Sequence, residues 1–238
     1  MPLSKNRVLA EGKTLHPWER EAIGFLKQAL PDGEPYRLWA LVELVDASGR
    51  RHEIDALVLG FHALYLIEIK SHPGRVSGNA VDWTFEFPDG GRSTRENPLR
   101  LTSHKARVLA SLLERKLGPT RPFVEPLVFL SDPGIAVDLR EQAASGVVTR
   151  ATLARALTHG EVPGADSRLG SKVINKPQAQ KVAAALKELG LAASKAALRI
   201  GELVLSEVLE DSPGYQDWEA RHERMGEMRR RVRSYLVP

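Results

Sequence analysis

Charged residues break two apolar runs in the first third of the chain. One run is Glu53-Ile54-Asp55-Ala56-Leu57-Val58-Leu59-Gly60, and the other is Leu64-Tyr65-Leu66-Ile67-Glu68-Ile69-Lys70. A charge inside an apolar strand is costly unless it is paired or bound to a metal. Strand side chains alternate between faces, so Glu68 and Lys70 point the same way with one residue between them. A hairpin through Gly60-Phe61-His62 lets Asp55 lie opposite that pair. Two carboxylates and a backbone carbonyl are hard oxygen ligands of the kind Mg²⁺ takes. A lysine beside such an ion can orient or help deprotonate an attacking water and can stabilise charge on a phosphate. The same spacing also reads as a salt-bridged hairpin, with Lys70 neutralising Glu68 or Asp55.

An upstream helix bears on the choice. Pro17-Trp18-Glu19-Arg20-Glu21 opens a segment that runs to Leu30 and stops at Pro31-Asp32-Gly33, with proline inside the start and a Pro-Asp-Gly stop. Ala22, Ile23, Leu26 and Leu30 form its apolar stripe. Glu19 shares that stripe, and a metal site within reach would explain a carboxylate there. Glu21 lies off the stripe and remains the alternative.

The remaining elements follow from punctuation and periodicity. Strands are expected over 36–45, 52–59 and 63–70, with Asp46-Ala47-Ser48-Gly49 as the first hairpin turn. Residues 75–98 are mixed polar and aromatic, and Trp83 and Phe85 read there as packing residues. Pro98 to Leu117 reads as an amphipathic helix carrying Leu101, Lys105, Val108, Leu109 and Leu112. Val124 to Leu130 has the continuous apolar character of a strand buried on both faces. A short strand over 146–148 then precedes Thr149, expected to cap a helix from Arg150 to Leu157. Residues 158–175 read as a Gly-rich polar loop, Gln178 to Leu189 as a helix stopped by Gly190, and a boundary falls near 195. The order of helix, hairpin, strand, helix and strand implies an α/β domain around a mixed sheet.

Composition narrows the chemistry. The 238 residues hold no cysteine, which excludes thiol catalysis, disulfides and cysteine-ligated metals. The seven histidines never fall at metal-ligand spacing, and His72 and His104 read as surface or capping residues. No apolar run approaches the roughly 20 residues that span a bilayer, so no membrane partner is expected. The first residues lack the apolar core of a signal peptide, which gives a cytoplasmic expectation. A net charge of +4 permits a polyanionic partner. Arg75, Arg92, Arg95, Arg100, Lys105 and Arg107 follow the acidic pair and could track a nucleic-acid backbone, or simply solvate a helix face. Gly164, Gly170, Ser171 and Lys172 superficially resemble a phosphate loop, but the spacing is wrong and no buried strand precedes them.

Trp18-Glu19-Arg20-Glu21, His52-Glu53-Ile54-Asp55, Ile67-Glu68-Ile69-Lys70-Ser71 and Glu96-Asn97-Pro98 together resemble the nuclease-related domain, NERD, a branch of the PD-(D/E)XK nuclease superfamily. The resemblance covers roughly residues 15–140. It implies a PD-(D/E)XK-like α/β fold, a mixed central sheet flanked by helices, and Mg²⁺- or Mn²⁺-dependent cleavage of DNA. Carried over residue by residue, it makes Asp55 and Glu68 the metal ligands, Lys70 the catalytic lysine and Glu19, or else Glu21, the helix acid. Asn97 matches the family's Asn-Pro, where a helix cap is the plainer account. The superfamily's Pro-Asp pair is absent, because Ile54 precedes Asp55.

The tail carries a second resemblance. Ile200 to Leu209 looks like the first strand of a protein-kinase N-lobe, with 209–222 as its glycine loop and second strand and 231–237 as the third. Only Gly214 remains of the glycine motif, and Tyr235 stands where the ATP-contacting lysine is expected. The plainer reading is two strands and a helix from Tyr215 to Met228. Together the two resemblances imply the N-terminal part of a larger bacterial phage-defence NERD–kinase protein, with residues 15–195 as the nuclease-like domain and 196–238 as a short β-rich extension. They also imply kinase or defence-complex partners.

Overall fold

A computed structural model describes residues 2–238 apart from Leu15, Ala47, 166–168, 170–172, 195–198, 213–214, 226–228 and 236–238. The phosphate-loop-like Gly170-Ser171-Lys172 therefore lies outside the described residues.

The apolar runs pair as their alternation requires. β1 (Val8–Glu11), β2 (Arg37–Val45), β3 (Arg51–Leu59), β4 (Leu64–Lys70), β8 (Val124–Leu130) and β10 (Val147–Thr149) lie side by side in that order, and β11 (Ala192–Ala193) pairs with β2 beyond the end of β1. The β2–β3 and β3–β4 pairs are antiparallel, whereas β1–β2, β4–β8 and β8–β10 are parallel. β8 sits between two parallel neighbours, which explains its unbroken apolar run.

Each face of the sheet buries its own core. On one face, α1 (Pro17–Ala29) and α3 (Leu153–His159) cover Leu38, Ala40, Ala56, Val58, Tyr65, Ile67 and Phe129. On the other, α2 (Pro98–Leu117) and α4 (Lys176–Glu188) cover Trp39, Val42, Ile54, Leu57, Leu59 and Leu66. Beside the β8–β10 end lies a second sheet of β7 (Arg92–Glu96), β6 (Asp82–Glu86), β5 (Arg75–Gly78) and β9 (Ala136–Asp138), paired in that order. Trp83 and Phe85 are buried there against Val128 and Leu130, as packing residues. The tail forms a separate meander of β12 (Arg199–Ile200), β13 (Leu203–Ser212), β14 (Tyr215–His222) and β15 (Arg229–Tyr235). The fold is thus a mixed α/β sheet flanked by helices with a C-terminal β-rich segment.

Several expectations need correction. Thr149 does not cap a helix over 150–157: it ends β10, paired with Leu130, and α3 begins three residues later with Thr152 at its N-cap. The tail helix from Tyr215 does not form, because β14 is paired on both sides, by β13 and by β15. Leu101 is exposed, since the buried stripe of α2 runs through Thr102, Ala106, Leu109 and Leu113. The mixed polar and aromatic residues 75–96 form three strands, β5, β6 and β7. α4 starts at Lys176, two residues early, under a capping box between Asn175 and Gln178.

Candidate metal and nuclease centre

The site forms where the β2–β3 ladder is interrupted. Ala40 pairs with Ala56 and Val42 with Ile54, but the intervening rung of Leu41 and Asp55 is not paired. Leu41 takes φ +50°, an uncommon backbone conformation for a branched residue. Facing slips at that rung on both strands. Leu38, Ala40, Ala56 and Val58 face α1, whereas Val42, Leu44 and Ile54 share a core with Trp39 and Leu57. Asp55 falls at the slip and turns to the neighbouring strand, where its Oδ2 accepts the Ile69 N–H at 2.7 Å. The carboxylate replaces a ladder partner beyond the last β3–β4 pair, Ala56 with Ile67.

Two further segments hold the slip in place. Leu41 C=O accepts the Ser194 N–H at 2.8 Å, and the Gly12 N–H donates to Ala40 C=O at 3.0 Å. A Cβ at Gly12 would stand 2.3 Å from Leu41 O, so only glycine lets β1 end this close to β2.

Asp55, Glu68, Lys70 and Glu19 line one cleft of about 360 Å³, with Lys13, Thr14, Trp18, Leu41, Glu53 and Ser194. Lys70 Nζ donates to Glu68 Oε1 at 2.7 Å. Lys105 of α2 donates to the other oxygen, Oε2, at 3.1 Å. Burial alone would raise the Glu68 pKa, but the charges and hydrogen bonds of Lys70 and Lys105 more than offset it and hold the group below its ordinary value. Asp55 goes the other way. Burial first, then the charge of Glu68, push its carboxyl up to about 7, against the Ile69 hydrogen bond and the Lys70 charge, and Glu19 adds a smaller upward push. Two neighbouring carboxylates with proton affinities driven apart are a recurring mark of functional sites.

The two acids of α1 stand differently to the cleft. Glu19 occupies the first turn of α1, where the helix dipole favours a negative charge, and faces the cleft. Glu21 pairs with Arg150 at 2.7 Å and does not line the cleft. Asn97 is buried as the N-cap of α2, its Oδ1 accepting the Leu99 N–H at 2.9 Å. The His72 ring packs at a tilt against Phe85 with centroids 4.5 Å apart, and burial first, then Arg95 and Lys70, hold its pKa down. Arg75, Arg92 and Arg100 pair with Asp138, Glu86 and Glu96. Lys105 is a correction: it belongs to Glu68 rather than to a solvated face. Its signal in the sequence was a lysine between Thr102 and Ala106, on the stripe that α2 buries.

Among the described residues, no group of three or more His, Asp or Glu is close enough to hold a metal ion. The donors still fit a hard divalent cation in kind and number. Mg²⁺ is commonly held by one or two carboxylates while keeping several waters, and Asp55 and Glu68 supply those two. The charges of Glu68 and Glu19 both act on Asp55, so the cleft gathers negative charge there.

Residues 15–131 match the family model described as the nuclease-related domain, NERD. The protein named "Probable kinase PglW" from Streptomyces coelicolor is 34% identical over 219 residues. That alignment covers 92% of this chain and 14% of the relative, so the chain spans about one seventh of that protein's length. No solved structure matches the chain. No helix among the described residues is long and apolar enough to cross a membrane.

Proposed function

Because residues 15–131 form a nuclease-related domain, we propose that the cleft around Asp55, Glu68 and Lys70 is a metal-dependent phosphodiesterase centre acting on DNA. The observation that carries the proposal is the convergence of two acids of opposite pKa shift and one cleft-facing lysine at a single interrupted rung. Asp55 and Glu68 would hold Mg²⁺ or Mn²⁺. Such an ion, when bound, supplies Lewis-acid stabilisation of charge on a phosphate. The other roles belong to the chain. Glu68 holds Lys70 by its ammonium at the cleft wall, from which that lysine can orient a water or neutralise phosphate charge. Glu19 keeps the helix end of the cleft acidic. Arg95 and Lys70, both close enough for their charge to act on His72, supply a basic edge along which a DNA backbone can run.

The likeness to a protein named a probable kinase, together with the N-lobe-like order of β13 to β15, supports a place beside a kinase within a longer bacterial phage-defence protein. One observation favours a second reading, a nucleic-acid-sensing module that does not cleave. Both Glu68 oxygens are already taken by lysines, so the carboxylate is satisfied without an ion.

Calorimetric titration with Mn²⁺ separates the two readings. The metal-centre reading expects saturable binding by the wild type that Asp55→Asn abolishes. It also expects Mn²⁺ to raise the melting temperature of the wild type alone, since an ion bound only by the folded state stabilises it by mass action. Equal responses of wild type and variant would remove Asp55 from the site.

A further inference from the structure

Two lysines hold Glu68, and they stand differently to the cleft. Lys70 lines the cleft and its side chain is 32% exposed. Lys105 does not line it and is 11% exposed. It reaches Glu68 from α2, on the face of the sheet that α2 covers, and takes the oxygen that Lys70 leaves. The residues beside it on α2, Thr102, Ala106 and Leu109, are buried, so its ammonium has a fixed approach. Glu68 is also the only carboxylate it bonds among the described residues.

We infer that Lys105 is the positioning residue of this centre: it anchors Glu68 from behind, so that Lys70 can turn to a phosphate or a water without the carboxylate following it. This inference rests on the nuclease reading of the cleft. With both lysines present, Glu68 has one anchor to spare. With Lys105 gone, Lys70 is its sole cationic partner among the described residues, and every excursion of Lys70 toward substrate leaves a mostly buried carboxylate unpaired, which is costly. Lys70 and Glu68 then remain locked together. A residue that orients a metal-site ligand from outside typically changes activity or metal affinity by about 10–100-fold when removed.

The test uses Lys105→Met, which keeps the aliphatic stem and removes the ammonium, with Lys105→Arg as the conservative rescue. The expected result is a fall in Mn²⁺-dependent DNA turnover of about 10–100-fold with DNA affinity unchanged, and recovery in Lys105→Arg. Crystal structures of wild type and Lys105→Met should show the Glu68 carboxylate displaced toward Lys70. Should Lys105→Met not fold, Lys105→Gln is measured in the same way. Three results overturn the inference: Glu68 in its original place, unchanged turnover, or weakened DNA binding with a shallower salt dependence, which marks a phosphate contact instead. If the wild type cleaves no DNA, the nuclease reading falls, and the position of Glu68 in the variant structure still decides what Lys105 does.

Discussion

At the scale of single residues, the cleft is an exercise in unequal neighbours. Glu68 and Asp55 stand on adjacent strands, yet only Glu68 has cationic partners on both oxygens. Its charge is therefore stabilised while that of Asp55 is resisted. The sign of the resulting pH dependence is fixed. A carboxyl whose folded pKa lies above its unfolded value contributes stability that is complete below the unfolded value and is lost as pH rises through the folded one. In chelated buffer, the stability of the wild type relative to Asp55→Asn should fall as pH rises from about 4 to about 7 and level off above that. Chemical denaturation of the two proteins across that range checks it, and a constant difference would show that Asp55 ionises as freely as an exposed acid. Asn97 offers a plainer test. It is a buried N-cap with its side chain on the Leu99 N–H, so Asn97→Ala should cost about 1 kcal/mol, read from the denaturation midpoint.

At the scale of elements, the defining feature is the paired slip of β2 and β3 at Leu41 and Asp55. It is stabilised from outside by the end of β1 and by the residue after β11, which places two distant segments of chain at one wall of the cleft. Gly12→Ala should force β1 away from Leu41 O and destabilise the fold by about 1–3 kcal/mol, the usual range for overpacking. A melting temperature equal to that of wild type would mean that β1 is not held as described. This irregularity also marks the limit of what sequence could tell. The bounds of β3, β4, α2 and β8 were legible within a residue or two because apolar runs or helical spacing between turn residues fixed them. The acidic pair and Lys70 were legible because charge in an apolar strand stands out. The slip was not, because it depends on Leu41 adopting a conformation that leucine does not advertise. Lys105 was missed for a related reason: a shift of one residue in helix phase decides whether it faces water or Glu68. The tail strand β14 was read as a helix in the plainer account because its polar residues satisfy either period, and pairing on both sides decided between them.

At the scale of the whole molecule, the tail meander has little core of its own. Leu205, Trp218 and Ala220 are buried with Leu203, Val208 and Val232 against them. Its strongest polar feature is Asp217, buried and bonded by Arg233 and Arg231, which together hold its pKa down to about 2. It meets the rest of the chain where Lys13 Nζ donates to Ser206 C=O at 3.4 Å, beside a cavity of about 320 Å³ lined by Ile23 and Leu41 on one side and Val208 and Trp218 on the other. Ile200, Leu209 and Tyr235 remain exposed. Removing 196–238 should therefore leave the remainder folded and cooperative, whereas the excised meander should not hold its structure, since small isolated sheets are marginal. Circular dichroism melts of the two pieces test this, and loss of cooperative unfolding in the larger piece would show that the tail belongs to a single unit.

The account as a whole rests on Lys70 acting in the chemistry rather than in packing or simple attraction. A lysine that acts in the transition state lowers turnover when removed and leaves affinity alone, whereas one that only neutralises phosphate lowers affinity and flattens the salt dependence by about one unit of slope. The direct measurement is Mg²⁺- or Mn²⁺-dependent cleavage of plasmid and linear DNA by wild type and Lys70→Ala, with DNA affinity measured on both. The metal-centre reading predicts cleavage by the wild type, its abolition by a chelator, and its loss in Lys70→Ala at unchanged affinity. A well-folded Lys70→Ala protein that cleaves DNA as fast as the wild type would contradict it.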